Sequence, residues 1–162
     1  MVEVRDGTRV VASLRPGKPC RATIGPTEMI IGGPPLISQL GDTRWTGKDG
    51  PSGTTLEREG DRVARIFPIG DRATLGVFDL DGIAMLSVHT TPAGANVTDA
   101  AARLLRTLAV NGDQIVADHP SLVVTGTHDV LLASVLTAPE LSPEVRMLAA
   151  CERVLVTEKK EL

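Results

Sequence analysis

The chain has 162 residues, a formal net charge of −3, 42% apolar and 23% charged side chains, and three aromatic residues of which none is tyrosine. This length suffices for one domain with a continuous apolar core, and the proportions exclude a collagen-like or wholly disordered chain. No apolar run approaches the roughly 20 residues of a membrane-spanning helix, and neither clustered cations nor aromatic platforms favour nucleic acid. We therefore expect no membrane and no nucleic acid as partner.

The first part of the chain, about residues 2–89, reads as short strands separated by turns, which is typical of an antiparallel meander or a small barrel-like sheet. Asp6-Gly7 is a hairpin dipeptide, and Arg15-Pro16-Gly17-Lys18 suits a type II turn. Further turns are predicted at Gly70-Asp71 and Asp81-Gly82. The predicted strands span residues 8–14, 20–24, 27–31, 54–58, 62–67, 73–78 and 83–89.

Residues 40–53 interrupt this pattern, because they hold four glycines and almost no aliphatic side chain. We predict a loop here, and long loops in compact domains are usually either functional or disordered. Trp45 lies in it beside Arg44 and Lys48, and these three are the candidate ligand-binding residues. The ring with its cationic neighbours could close over an anionic ligand or anchor a partner subunit. Alternatively, Trp45 folds back onto the sheet as a lid.

The pattern changes near residue 96, where helical spacing replaces alternation. Leu104, Leu105 and Leu108 recur at helical intervals, and Ser142-Pro143 has the chemistry of a helix start. The sequence thus predicts a single α+β domain over residues 1–162, β-rich over 1–90 and helix-rich over 96–156, with a charged tail at 157–162. The C-terminal helices are predicted at about 97–111, 128–137 and 142–155, with two added strands at 114–117 and 122–125.

The string Val77-Phe78-Asp79-Leu80-Asp81-Gly82 resembles the first motif of haloacid-dehalogenase-type phosphotransferases, in which one carboxylate attacks phosphorus and a second shuttles the proton. The resemblance covers a short stretch and then ends, since no paired late acids that could hold magnesium follow it. The string also lies inside the predicted meander. We therefore interpret Asp79 and Asp81 as solvated acids that bound a hairpin turn.

Three histidines carry the sharpest chemical hypothesis, since imidazole titrates near neutral pH and binds metals. Asp118-His119 separates two predicted strands, and His128-Asp129 precedes a predicted helix. If His89 lies on the same rim, two imidazoles and a carboxylate could bind a divalent metal, or a His-Asp pair could act as general base. His119, His128 and Asp129 are thus the candidate catalytic residues. Alternatively, Asp118 shapes a turn and Asp129 complements a helix dipole, which leaves ordinary surface histidines.

Two functional classes stay open. The first is a small-molecule-binding domain or small enzyme subunit, with a pocket for a small anionic ligand between the 40–53 loop and a rim that carries His119 and His128. The second is a non-catalytic, homo-oligomeric assembly module, favoured by strands rich in Val and Ile with few lysines to protect their edges. The N-terminus has no secretory signal pattern, so we expect a cytoplasmic protein in which Cys20 and Cys151 are buried thiols.

Overall fold

A computed structural model describes residues 1–33, 35–50, 53–68, 74–79 and 84–161. Within these ranges the chain forms fourteen β-strands followed by two α-helices. The strands are β1 (Val2–Asp6), β2 (Arg9–Arg15), β3 (Cys20–Ile24), β4 (Thr27–Gly32), β5 (Ile37–Leu40), β6 (Thr43–Gly50), β7 (Gly53–Arg58), β8 (Asp61–Pro68), β9 (Thr74–Asp79), β10 (Ala84–Thr91), β11 (Gly94–Thr98), β12 (Leu104–Asn111), β13 (Gln114–Ala117) and β14 (Leu122–Thr125). The helices are α1 (Val130–Leu136) and α2 (Pro143–Glu161).

The strands form one closed antiparallel barrel. Each strand pairs with its neighbours in sequence, and β1 closes the ring by pairing with β14, where Val4 lies opposite Val124. Every described strand therefore has a hydrogen-bonded partner on both sides. A closed barrel has no edge strands, so the exposed edges on which the assembly hypothesis was based are not present in the described barrel.

The predicted α+β fold class is wrong, because the wall continues through the segment predicted as the first helix, residues 97–111. That segment holds the end of β11, a turn and β12. The Asp99 carboxylate accepts hydrogen bonds from the backbone N–H groups of Ala101 (2.9 Å) and Arg103 (3.0 Å), which organises the turn. Pairing of β12 with both β11 and β13 then outweighs the helical spacing of the leucines. The predicted turns at Gly70-Asp71 and Asp81-Gly82 lie outside the described residues.

The predicted loop at 40–53 is also wrong, since β6 occupies most of it and β7 begins at Gly53. Gly47 of this segment allows close packing. Leu36 is buried against Gly47, where an added Cβ would lie 2.9 Å from the Leu36 Cβ atom. The Gly47 N–H also donates to the Leu36 carbonyl oxygen at 2.8 Å. Only the small residue lets this turn pack directly on the strand.

The two helices cross the inside of the barrel. α1 packs on β10, β11 and β12, whereas α2 packs on α1, β3 and β4, which lie on the opposite side of the ring. Residues 131–136 of α1 are buried on every side, as expected of a helix without a polar face. Helices at 128–137 and 142–155 were predicted, but as a cover over one face of a sheet. In the structure they instead lie in the space that the barrel wall encloses.

Antiparallel pairing puts alternate turns at alternate ends of the barrel. We call the two ends of the barrel the His119 end and the His128 end. The His119 end holds the β13–β14 turn, and the His128 end holds the start of α1. Helix α1 runs from the His128 end to the His119 end, and α2 runs back. Polar groups contributed by the helices are therefore found at both ends.

Candidate functional site

The three histidines do not converge. His119 precedes β14 and His128 follows it, so they lie at opposite ends of the barrel, and both are exposed. His89 is exposed on β10, opposite Asn96 of β11. Within the described ranges no group of three or more His, Cys, Asp or Glu side chains could hold a metal ion. The rim that would have joined the imidazoles is not formed by these residues.

The Asp118-His119 turn is tied to strand β12. The Asp118 carboxylate accepts hydrogen bonds from the Thr107 N–H (2.7 Å) and the Thr107 hydroxyl (2.9 Å). Burial opposes ionisation of Asp118, but these hydrogen bonds outweigh it and hold the pKa of this carboxyl below its ordinary value. The His119 carbonyl accepts from Arg106 Nε at 3.2 Å. Asp118 therefore shapes the turn, in line with the structural alternative for this residue.

Asp129 is engaged by the α1 helix start and by α2. Its carboxylate accepts from the Leu131 N–H at 3.1 Å, which caps α1. The other carboxylate oxygen lies 2.7 Å from Arg153 Nε. His128 beside it is exposed and takes part in neither contact. The geometry gives Asp129 a structural role that ties the beginning of α1 to the last part of α2.

Two of the three predicted ligand-binding residues border the same groove. Arg44, Thr46 and Lys48 lie at alternate positions of β6, so their side chains project from the same, outer face of the wall. They border an open groove of about 850 Å³, which we call the β5–β6 groove. Its lining residues are Gly33, Pro35, Leu36, Ile37, Arg44, Thr46, Gly47, Lys48 and Asp49.

Trp45 faces the other way and does not line the groove. It is 3% exposed and belongs to the core, with the Arg58 guanidinium 5.5 Å from the centre of its ring. The alternation of a strand explains this, because successive side chains point to opposite faces. Both readings of Trp45 assumed a loop, whereas the residue lies within strand β6 and its ring is part of the core.

The β5–β6 groove combines cationic and apolar surface. Arg44 and Lys48 are four residues apart on an extended strand, which separates their Cα atoms by roughly 13 Å. Lys48 Nζ lies 3.0 Å from Glu57 Oε1, yet the Lys48 side chain remains 72% exposed. The Arg44 backbone N–H is fixed by Glu59 Oε1 at 2.6 Å, and the residue itself is exposed. Pro35, Leu36 and Ile37 supply apolar surface beside these cations.

A second polar cluster, at the His119 end, escaped the sequence analysis. Arg106 of β12 has only 1% of its side chain exposed and contacts Glu140, which follows α1. Arg106 Nη1, Glu140 Oε1 and Arg146 Nε are buried without a hydrogen-bond partner among the described residues. Burial lowers the pKa of Arg146, against the opposing effect of Glu144 and Glu140. No local signal separates Arg106 from the exposed arginines of the chain, because only the barrel closure buries it.

Comparison with known proteins found no matching family model, no matching curated protein and no matching solved structure. None of the described helices is long and apolar enough to cross a membrane. The interpretation of function therefore depends on the geometry of the groove and of the two ends of the barrel.

Proposed function

We propose that this protein is a binding module for a small anionic ligand that also has an apolar part, and that the ligand lies in the β5–β6 groove. The observation that supports this proposal is the placement of Arg44 and Lys48 on one face, beside Leu36 and Ile37. Cations attract and orient an anionic group, while apolar lining provides affinity for the remainder of the ligand.

The outer wall is favoured over the interior because the two helices fill the barrel. Residues 131–136 of α1 and most of the first half of α2 are buried, so the enclosed space is occupied by apolar side chains of the protein itself. Binding without catalysis is favoured because His119 and His128, the candidate acid-base groups, lie at the two ends of the barrel. The His119 turn joins β13 and β14, across the ring from β5 and β6.

The experiment is a fluorescence titration with anilinonaphthalene sulfonate, an aromatic anion that has both required features. We expect the double variant Arg44→Ala/Lys48→Ala to bind this probe about tenfold more weakly, since two cationic contacts worth several tenths to 1 kcal/mol each are lost. Added sodium chloride should weaken wild-type binding and affect the variant less.

The matched control is Arg9→Ala/Arg15→Ala, which removes the same charge from exposed positions of β2, outside the groove. This control should bind the probe as the wild type does. Equal weakening in both double variants would assign the effect to net charge, and unchanged binding in Arg44→Ala/Lys48→Ala would place the probe elsewhere. Either result contradicts the proposal.

A second candidate function, homo-oligomeric assembly, is favoured by one observation. Ile30 of β4 and Ile37 of β5 are 45% and 44% exposed, and they lie near one another because Gly32 is opposite Ile37 in the β4–β5 pair. Neighbouring exposed apolar side chains on a wall suit contact with a second copy. Sedimentation equilibrium tests this: Ile30→Lys should lower the mass of an oligomer, and a wild-type monomer at the same concentration as in the titration eliminates the candidate.

A further inference from the structure

We infer that Cys20 and Cys151 are a site of reversible disulfide formation that links the barrel wall to the helix inside it. Cys20 is the first residue of β3 and Cys151 lies in α2. Their Sγ atoms are 2.6 Å apart, although 131 residues separate them along the chain. Both side chains are buried, at 1% and 0% exposure.

The two side chains already point at each other, which is the main geometric requirement for a disulfide. The S–S bond measures about 2.0 Å and forms only where the two Cβ vectors converge. Cys20 faces the interior with Ala22 and Ile24, as the alternating burial of β3 shows. Cys151 lies among the buried residues of α2, 147–151. Little side-chain movement is therefore required for the sulfur atoms to bond.

A small recess lies beside this pair. At the His128 end, a recess of about 230 Å³ is lined by the turn that precedes β3, by the end of β4 and by α2. Pro19 in its lining precedes Cys20, Ile31 is the cross-strand partner of Cys20, and Leu155 lies one helical turn beyond Cys151. Local opening of the last turns of α2 would expose the sulfur atoms to a small oxidant in this recess.

The oxidant that we propose is a low-molecular-weight disulfide of the glutathione class. One cysteine thiolate attacks it, a mixed disulfide forms and one glutathione thiol leaves. The second cysteine then displaces the second glutathione, which completes the protein disulfide. The two cysteines lose two electrons and two protons, and glutathione disulfide gains them as two thiols. The hydrogen-bonded Cys20 thiol and burial raise the pKa of Cys151, so the exchange should be slow at neutral pH and faster at alkaline pH.

The bond would join α2 to β3 and thereby hold the helix inside the barrel. Closing a loop of this length restricts the unfolded chain strongly, and for a protein of this size we expect the melting temperature to rise by roughly 10 °C on oxidation. The thiol form is the expected state in a reducing compartment, and the disulfide form is expected when the glutathione pool becomes oxidised.

The test is to incubate the 162-residue chain either with excess oxidised glutathione or with dithiothreitol. Each sample is then unfolded and treated with iodoacetamide. We expect the reduced sample to take two alkyl groups. The oxidised sample should take no alkyl group, and its mass should be that of the reduced, unalkylated protein minus two hydrogen atoms. Trypsin cannot cut Arg15-Pro16 or Lys18-Pro19, so the linked peptides under non-reducing conditions should be 10–21 and 147–153.

Cys20→Ser and Cys151→Ser serve as matched controls, because neither variant can form the bond and neither should change its melting temperature on oxidation. Should these variants fail to fold, the peptide map of the wild type still decides the question. Two alkylated cysteines after oxidation of the native protein, and again after refolding in a glutathione redox buffer, would overturn the inference. Stable glutathione adducts on both cysteines, with no linked peptide, would overturn it as well.

Discussion

The hydroxyl of Thr54 joins the barrel wall to helix α2 by a hydrogen bond to Glu152 Oε1, at 2.7 Å. The same hydroxyl lies 3.0 Å from Asp49 Oδ1. One hydroxyl has a single proton and cannot donate to two carboxylates at once, so this arrangement favours one protonated carboxyl. Burial, together with the charge of Asp49, raises the pKa of Glu152 to about 7, although the Thr54 hydrogen bond acts in the opposite direction.

The raised pKa predicts a pH-dependent stability. Glu152 has an ordinary pKa of 4.5 and a folded-state pKa of about 7, so the folded state binds its proton more tightly than the unfolded state. The contribution to the free energy of unfolding is therefore complete below pH 4.5, declines as the pH rises to about 7 and is constant above that. The total decline amounts to about 3 kcal/mol.

Urea denaturation at pH 5 and pH 8 checks this prediction in the wild type and in Glu152→Gln. The variant replaces the carboxyl by an amide, whose oxygen can still accept the Thr54 hydrogen bond but which cannot ionise, so its free energy of unfolding should decline less between the two pH values. Glu28→Gln, at an exposed position of β4, is the control and should behave as the wild type does. An identical decline in wild type and Glu152→Gln would disprove the role of this carboxyl.

The contact of Arg106 with Glu140 predicts a large cost when the carboxylate is removed. Glu140→Ala would leave the Arg106 guanidinium, which is 1% exposed, without a counter-charge. The expected loss of unfolding free energy is about 3 kcal/mol. Arg103→Ala breaks the Arg103–Asp99 pair, in which Arg103 is 79% exposed, and should cost far less because solvent screens this pair. Similar losses in the two variants, measured by urea denaturation, would contradict this account of Arg106.

The contacts of Asp129 predict a graded response to substitution. Asp129→Ala removes both the cap of α1 and the pair with Arg153, and should cost about 2 kcal/mol. Asp129→Asn keeps a capping oxygen and should cost about 1 kcal/mol or less. The exposed neighbour provides the control, since His128→Ala should change stability by at most about 0.5 kcal/mol. Thermal and urea unfolding of the three variants measures these losses. If Asp129→Ala were no less stable than His128→Ala, the structural role of Asp129 would be refuted.

Substitution of Gly94 in β11 should destabilise the fold by steric overlap alone, since no charge changes. An added Cβ there would overlap the carbonyl oxygen of Leu108 on β12, so Gly94→Ala must displace backbone. We expect a loss of about 2 kcal/mol or more. Gly50→Ala is the matched control, because its Cβ would lie 3.5 Å from the Gly53 carbonyl oxygen, an ordinary contact. If circular-dichroism melts show equal stability for both variants, the close approach of β11 and β12 at this position is incorrect.

The sequence predicted secondary structure correctly where a few adjacent residues determine it. The β13 and β14 strands span Gln114–Ala117 and Leu122–Thr125, as the sequence predicted, because a turn separates two short apolar runs. The start of α2 at Pro143 follows from the Ser142-Pro143 pair. The prediction for 97–111 was wrong because the leucine spacing fits a helix, whereas hydrogen bonds to β11 and β13 decide the outcome from outside the segment.

The candidate site was likewise predictable only in part from the sequence. Arg44 and Lys48 were predicted as ligand-binding residues from composition, and strand alternation places them on one face of β6. Their relation to Leu36 and Ile37 depends on the pairing of β5 with β6. The predicted meeting of His119 with His128 does not occur, because one antiparallel strand between them separates them by the height of the barrel.

The sequence by itself determined the hairpin turn at Asp6-Gly7, most of the strands, the start of α2 and the abundance of small apolar side chains. Only the tertiary structure decided that β1 meets β14, that both helices lie inside the resulting ring, that Arg106 is buried and that the two cysteine sulfur atoms meet. Turn and capping preferences arise from a few adjacent residues. Closure of the ring is a contact between distant segments whose free energy depends on the whole wall, and no local pattern records it.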